Sequence, residues 1–185
     1  MGVLRAAPNA ERRWRFVALR ALVVAALLVT TSVAQSAELR TIAILDFELV
    51  DDQHELAPAT VEYQRLPAIR DQLQSQFAAN GLYRVVDIAP AAAMIDAYRA
   101  RTQLRDCNGC ELDIGHALNT DRVLIGWVQK VSNLILNINI QIEDVATGAV
   151  VLNKSVDLRG NTDESWRRGV AALVRSMIDK NQGNR

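Results

Sequence analysis

The sequence is poor in the residues that carry most acid–base and metal chemistry. It has two histidines, two cysteines and four prolines among 185 residues. His54 and His116 are few for general acid–base work, and no serine–histidine–acid set stands out. No glycine-rich phosphate loop is present. The last proline is Pro90, so nothing after the cysteines supplies the proline of a thioredoxin-like site. The longest unbroken apolar stretch, Ala21–Val29, is far short of the roughly 20 residues that span a bilayer. Net charge is absent as well, with 21 basic and 21 acidic residues.

The charges are unevenly placed. Arg5, Arg12, Arg13 and Arg15 precede the apolar run 16–31, and small residues follow in "SVAQSAE". This layout predicts a secretory signal peptide over 1–37, cleaved after Ala34 or Ala37. It predicts export to the periplasm and contact with the membrane only in transit. Residues 1–37 carry five arginines and one glutamate. Without them the chain keeps 16 basic and 20 acidic residues, a net charge of about −4. That balance argues against nucleic acid or an anionic membrane as partner, since both attract clustered Lys and Arg. Residues 38–185 suit a single globular domain.

"TIAILDFEL", 41–49, is apolar on both parities and reads as a strand covered on both sides. An acidic, aperiodic stretch reads as a long loop. In "LPAIRDQLQSQFAANG" the spacing of Leu66, Ile69, Leu73 and Phe77 predicts a helix, with Pro67 in its first turn and Gly81 as its stop. "YRVVD" is a short strand. Pro90 opens a second helix through about Arg101, and 111–119 reads as a short third one.

"DRVLIGWVQ", 121–129, is a strand. "LILNINIQIED", 134–144, alternates Leu134, Leu136, Ile138, Ile140 and Ile142 with Ile135, Asn137, Asn139, Gln141 and Glu143. Period two over that length predicts a strand with one buried face and one wet face. Gly148 supplies the turn to a hairpin partner, 150–158. A last helix follows, capped by Asn161 with Glu164, and buries Trp166, Val170, Leu173, Val174, Met177 and Ile178. Gly169 weakens its interior by roughly 1 kcal/mol relative to Ala, unless it serves close packing. The order predicts an α/β (α+β) fold: a mixed sheet of about five strands with helices packed on it.

"TIAILDFE", "YRVVD", "DRVLIGWV" and the hairpin with "DVATGAVV", taken in order, resemble the N-terminal domain of TolB and the CsgG-like domains of curli secretion. "RDCNGCE", "GWVQKVSNLILN" and "RGNTDESWRRG" resemble signature stretches of an uncharacterised family of exported proteobacterial proteins. The resemblance implies a periplasmic compartment and a fold, with no assigned reaction.

Four groups of residues are candidate sites. Cys107 and Cys110 form a C-x-x-C. Covalent haem needs His after the second cysteine, and Glu111 stands there. Zinc needs further ligands, and His116 is the nearest. In an oxidising compartment a disulfide is the expected state, clipping the turn before helix 111–118. Thiol–disulfide exchange is its competitor, opposed by the flanking Asp106, Glu111 and Asp113, whose charge raises a thiol pKa. The acidic loop, Glu48, Asp51, Asp52, His54 and Glu55, leaves the end of the first strand and is a candidate ligand or cation loop, though it matches no EF-hand. Arg159, Trp166, Arg167 and Arg168 mark a second basic-aromatic stretch. Lys130, Asn133, Asn137, Asn139 and Gln141 mark a polar strand face. With Arg159, Trp166 and Arg167, that face is the candidate surface for a periplasmic protein partner.

The leading expectation is a non-enzymatic interaction or accessory domain of the cell envelope, without cofactor or metal. A thiol oxidoreductase is the alternative. A small-ligand or cation-binding protein is the third. The partner and the oligomeric state are open.

Overall fold

The computed structural model describes residues 38–51 and 60–183, with side chains described as far as Lys180. Residues 1–37, where a signal peptide is expected, and Asp52, His54 and Glu55 of the expected acidic loop lie outside that range. The strands are β1 (Thr41–Ile44), β2 (Glu48–Asp51), β3 (Arg84–Val86), β4 (Arg122–Lys130), β5 (Ile135–Asp144) and β6 (Val150–Arg159). The helices are α1 (Thr60–Ala79), α2 (Ala92–Arg99), α3 (Cys110–Ala117) and α4 (Asp163–Gly183), with short 3-10 turns at Ala89–Ala91 and Leu104–Asp106.

The strands form one mixed sheet in the order β3-β1-β4-β5-β6, and β2 continues alongside β4. β1 runs parallel to β3 and β4, whereas β4, β5 and β6 form an antiparallel meander. This is the expected mixed sheet with one strand more. The extra strand joins the end of the segment read as the first strand, Glu48 and Leu49, to the first two residues read as loop, Val50 and Asp51. β1 and β2 are nearly continuous, yet Ile44 pairs with Leu124 while Glu48 pairs with Trp127. Four steps on one strand meet three on the other, so one residue is extra. In a period-two structure that insertion swaps the faces. Ile42 and Ile44 therefore share a core with Phe47 and Leu49, and Leu45 faces the other side.

Two cores flank the sheet. On one face α1 and α4 bury Leu66, Ile69, Leu73, Phe77, Trp166, Val170, Leu173 and Val174 against Ile42, Ile44, Leu124 and the even residues Leu136–Ile142. On the other, Ile95, Leu104, Cys110 and Ile114 cover Leu45, Val123, Ile125 and Val145. Gly169 is where α4 meets the sheet. A Cβ there would come within 2.3 Å of Leu158 Cδ2, so the glycine permits the close approach and accounts for its cost in the helix.

Three local readings need correction. α1 begins at Thr60, upstream of Leu66, and carries Pro67 in its interior. Interior proline costs a helix about 3 kcal/mol. The early turns hold because Glu62 and Leu66 are buried in tertiary contacts. Leu134 is 73% exposed, since it lies in the turn before the first rung of β5. The cap of α4 is Thr162 with Ser165, not Asn161 with Glu164: Ser165 N–H donates to Thr162 Oγ1 (3.2 Å) and Thr162 N–H to Ser165 Oγ (3.0 Å). Both sides of the pair are hydroxyls.

Candidate functional site

The parallel part of the sheet decides where a site can form. From β1 the chain crosses to β3 through α1, on one face. From β3 it crosses to β4 through α2 and α3, on the opposite face. β1 lies between β3 and β4. The connections thus diverge beside the carboxyl end of β1, the arrangement that opens a crevice in α/β sheets.

A cavity of about 460 Å³ lies there. Its walls are Phe47, Leu49, Tyr63, Leu66 and Pro67, with Asp46, Arg70 and Arg99 at one side. Asp46 belongs to the extra-residue segment, out of register with β4, and its carboxylate is held between two guanidiniums. Arg99 Nη1 donates to Asp46 Oδ2 at 2.7 Å, and Arg70 Nη1 pairs with Oδ1. Arg99 Nη2 also reaches the Asp46 carbonyl at 3.4 Å. The other edge of Arg70 meets the exposed Asp71 at 3.2 Å. Glu48 lines the cavity but is committed elsewhere: it accepts from Leu104 N–H at 2.6 Å and Arg105 N–H at 3.4 Å. The sequence offered one signal for this site, a lone Asp in the apolar run "AILDF". Its partners lie 24 and 53 residues away.

The sequence-predicted residues fall elsewhere. Of the acidic loop, Glu48 caps the 3-10 turn and Asp51 is a buried partner of Lys130, so these two do not converge on a ligand. Among the described residues no group of three or more His, Cys, Asp or Glu could hold a metal. Lys130 is not on a partner surface. It is 3% exposed, with Nζ 3.2 Å from Asp51 Oδ2 and 2.9 Å from Glu62 Oε1. Strand register places Asp51 beside it, and the first turn of α1 delivers Glu62. Burial alone would push the Glu62 carboxyl up, but Lys130 and Asn161 outweigh it and hold it below its usual 4.5. Burial opposes the Lys130 charge, and the two carboxylates nonetheless keep its pKa raised.

Trp166 is core, 1% exposed. Its indole N–H donates to Asn161 Oδ1 at 3.0 Å, and the Arg65 guanidinium lies 5.8 Å from its ring centroid. Arg159, Arg167 and Arg168 are exposed, the last two paired with Glu164. Asn133 is exposed in the β4–β5 turn. Asn137, Asn139 and Gln141 are half-buried on the sheet face opposite α4, and their neighbours by register on β6 are Asp157, Ser155 and Asn153. Asn139 Nδ2 donates to Asn137 Oδ1 (3.3 Å) and Gln141 Nε2 to Glu143 Oε1 (2.6 Å).

Cys107 and Cys110 are joined as a disulfide, with Cα atoms 5.6 Å apart. Gly109, at φ +101°, makes the turn into α3, a conformation that disfavours other residues. Cys110 is buried against Ile114 and its neighbours. Glu111 is buried beside it, and its Oε2 has no hydrogen-bond partner among the described residues. Burial raises its pKa, backbone N–H groups oppose this, and Glu143 raises it further.

No curated protein matches the chain. Among solved structures it is similar to the LpoB C-terminal domain of Salmonella enterica at 11% identity and TM-score 0.46, covering 68% of this chain and 87% of that one. It is similar to lipoprotein GNA1162 of Neisseria meningitidis at 13% identity and TM-score 0.48, covering 78% and 97%. TolB of Acinetobacter baumannii matches at 12% identity and TM-score 0.47, over 80% of this chain and 30% of that one. A family model matches residues 40–178. On that match the chain belongs to the family described as Protein of unknown function (DUF2380).

Proposed function

We propose that the protein is an exported envelope domain that works by holding a protein partner in the periplasm. Export rests on the basic head and apolar run before residue 38. The observation that carries the partner reading is the unequal covering of the sheet. α4 seals one face of β5 and β6. The opposite face presents Asn137, Asn139 and Gln141 half-buried, and Asn153, Ser155 and Asp157 exposed. Neutral amides and hydroxyls desolvate more cheaply than charges, which suits a surface that is covered on docking. β6 is also one of the two end strands in the order β3-β1-β4-β5-β6, and the backbone of an outer strand can accept an added strand. The Cys107–Cys110 clip serves this reading as a fastener of the turn before α3.

A photo-crosslinking residue at Ser155 tests it in growing cells. One defined adduct is expected from Ser155, and none from Arg168 on the opposite side. Asn139→Arg should abolish that adduct while leaving the thermal unfolding midpoint within a few degrees. Equal adducts from both positions, or none from Ser155, overturn the reading. Fractionation with and without residues 1–37 tests export.

A further inference from the structure

The cavity beside Asp46 is unused by the partner reading, and its chemistry is specific. A volume of about 460 Å³ falls within the range of roughly 300–1,000 Å³ for small-molecule sites. One wall is apolar, with Phe47, Leu49 and Leu66 buried and Tyr63 exposed at the rim. The other side carries two guanidiniums aimed at one carboxylate. Glu48, the remaining acid of the lining, is occupied by the N–H groups of Leu104 and Arg105. Asp71 meets Arg70 from outside the lining. Two cations therefore share one anion within the cavity.

Guanidinium groups bind planar carboxylates through paired N–H donors. The Asp46 carboxylate stands where such a group on a ligand would stand, and the apolar wall begins beside it. We propose that this cavity binds a small organic carboxylate carried on an apolar or aromatic stem, with Arg99 and Arg70 as its anchors and Asp46 as an internal competitor. The ligand's carboxylate displaces that of Asp46 from Arg99, and its stem lies along Phe47, Leu66 and Tyr63. The site does not involve the bare sheet face, so it stands or falls independently of a protein partner.

The competitor role gives opposite signs for two neighbouring substitutions. Titration calorimetry of the purified protein with 3-phenylpropionate, 3-phenylpropanol and 3-phenylpropylamine holds the stem constant and varies the charge. Phenylpropionate should bind about tenfold or more tightly than the alcohol, and the amine least, since charge-assisted bonds are the stronger class. Arg99→Gln should weaken phenylpropionate about tenfold and leave the alcohol unchanged. Asp46→Asn should strengthen phenylpropionate by removing the charge that competes for Arg99 and for the inner edge of Arg70. Amide spectra of each variant check that the fold is kept, and Arg99→Lys, which keeps charge but loses the fork, should fall between. Tightest binding by the amine, equal binding of all three probes, no binding of any, or weaker binding in Asp46→Asn overturns the proposal.

Discussion

Lys130 and Asp46 occupy mirror-image settings. Lys130 is one cation between two carboxylates, Asp51 and Glu62. Asp46 is one carboxylate between two guanidiniums, Arg70 and Arg99. What separates them is water. The side chains of Lys130 and its two partners are 4–6% exposed, whereas those of Asp46 and its two partners are 26–37% exposed. A sealed cluster has no second partner to exchange with, so its charges fix where β2, β4 and α1 meet. An open cluster can trade its internal partner for an external one. The same pairing chemistry is thus structural in one place and suited to binding in the other.

The largest expected effect is at the sealed cluster. Lys130→Met leaves two buried carboxylates facing each other and should cost about 3–5 kcal/mol, read as a lower urea midpoint. Restoring much of that loss by adding Glu62→Gln would show that stranded charge, rather than lost packing, is the cause.

Acid should attack the same cluster. The Glu62 carboxyl is held below its usual 4.5 in the folded protein. Its contribution is present above the unfolded value and is lost as pH falls through the lower folded value. Wild type should lose stability on that limb, and Glu62→Gln should lose less. A parallel pair of pH curves would break the contrast.

Glu111 is a buried carboxyl without that kind of partner, and the sign reverses. Its pKa is raised, so it opposes folding increasingly as pH rises above 4.5. Glu111→Gln should raise the urea midpoint at pH 7, on the order of 1 kcal/mol, and change little at pH 4.

The smallest effect is at the open cluster. Asp46→Asn should alter stability by less than about 1 kcal/mol. A loss comparable to that of Lys130→Met would mean that the two clusters do the same work.

The sequence disclosed what is periodic. β5 was legible from alternation, α4 from its apolar stripe and the β5–β6 turn from Gly148, which has φ +68°. Both charged clusters were illegible for the opposite reason. Asp51 and Lys130 are 79 residues apart, and no local pattern joins them. Lys130 even sat at the edge of a polar-looking strand, where charge suggests solvent. The N-terminal turns of α1 were hidden by Pro67, a local stop signal that the anchoring of Glu62 overrides. Asn161 was a plausible cap on spacing, but it is engaged by Arg65, Trp166 and Glu62, which leaves the cap to Thr162.

The extra residue between β1 and β2 acts as a frameshift in a two-beat code. Upstream of it, even-numbered residues face α1; downstream, odd-numbered ones do. Removing a single residue at Asp46 would leave composition, hydropathy and length almost unchanged. It would also make the pairing with β4 regular, leaving Glu48 opposite Trp127 and Leu49 opposite Val128, while taking away the carboxylate that Arg70 and Arg99 share. The extra residue therefore lifts Asp46 out of the pairing with β4 while the strands on either side of it keep their faces.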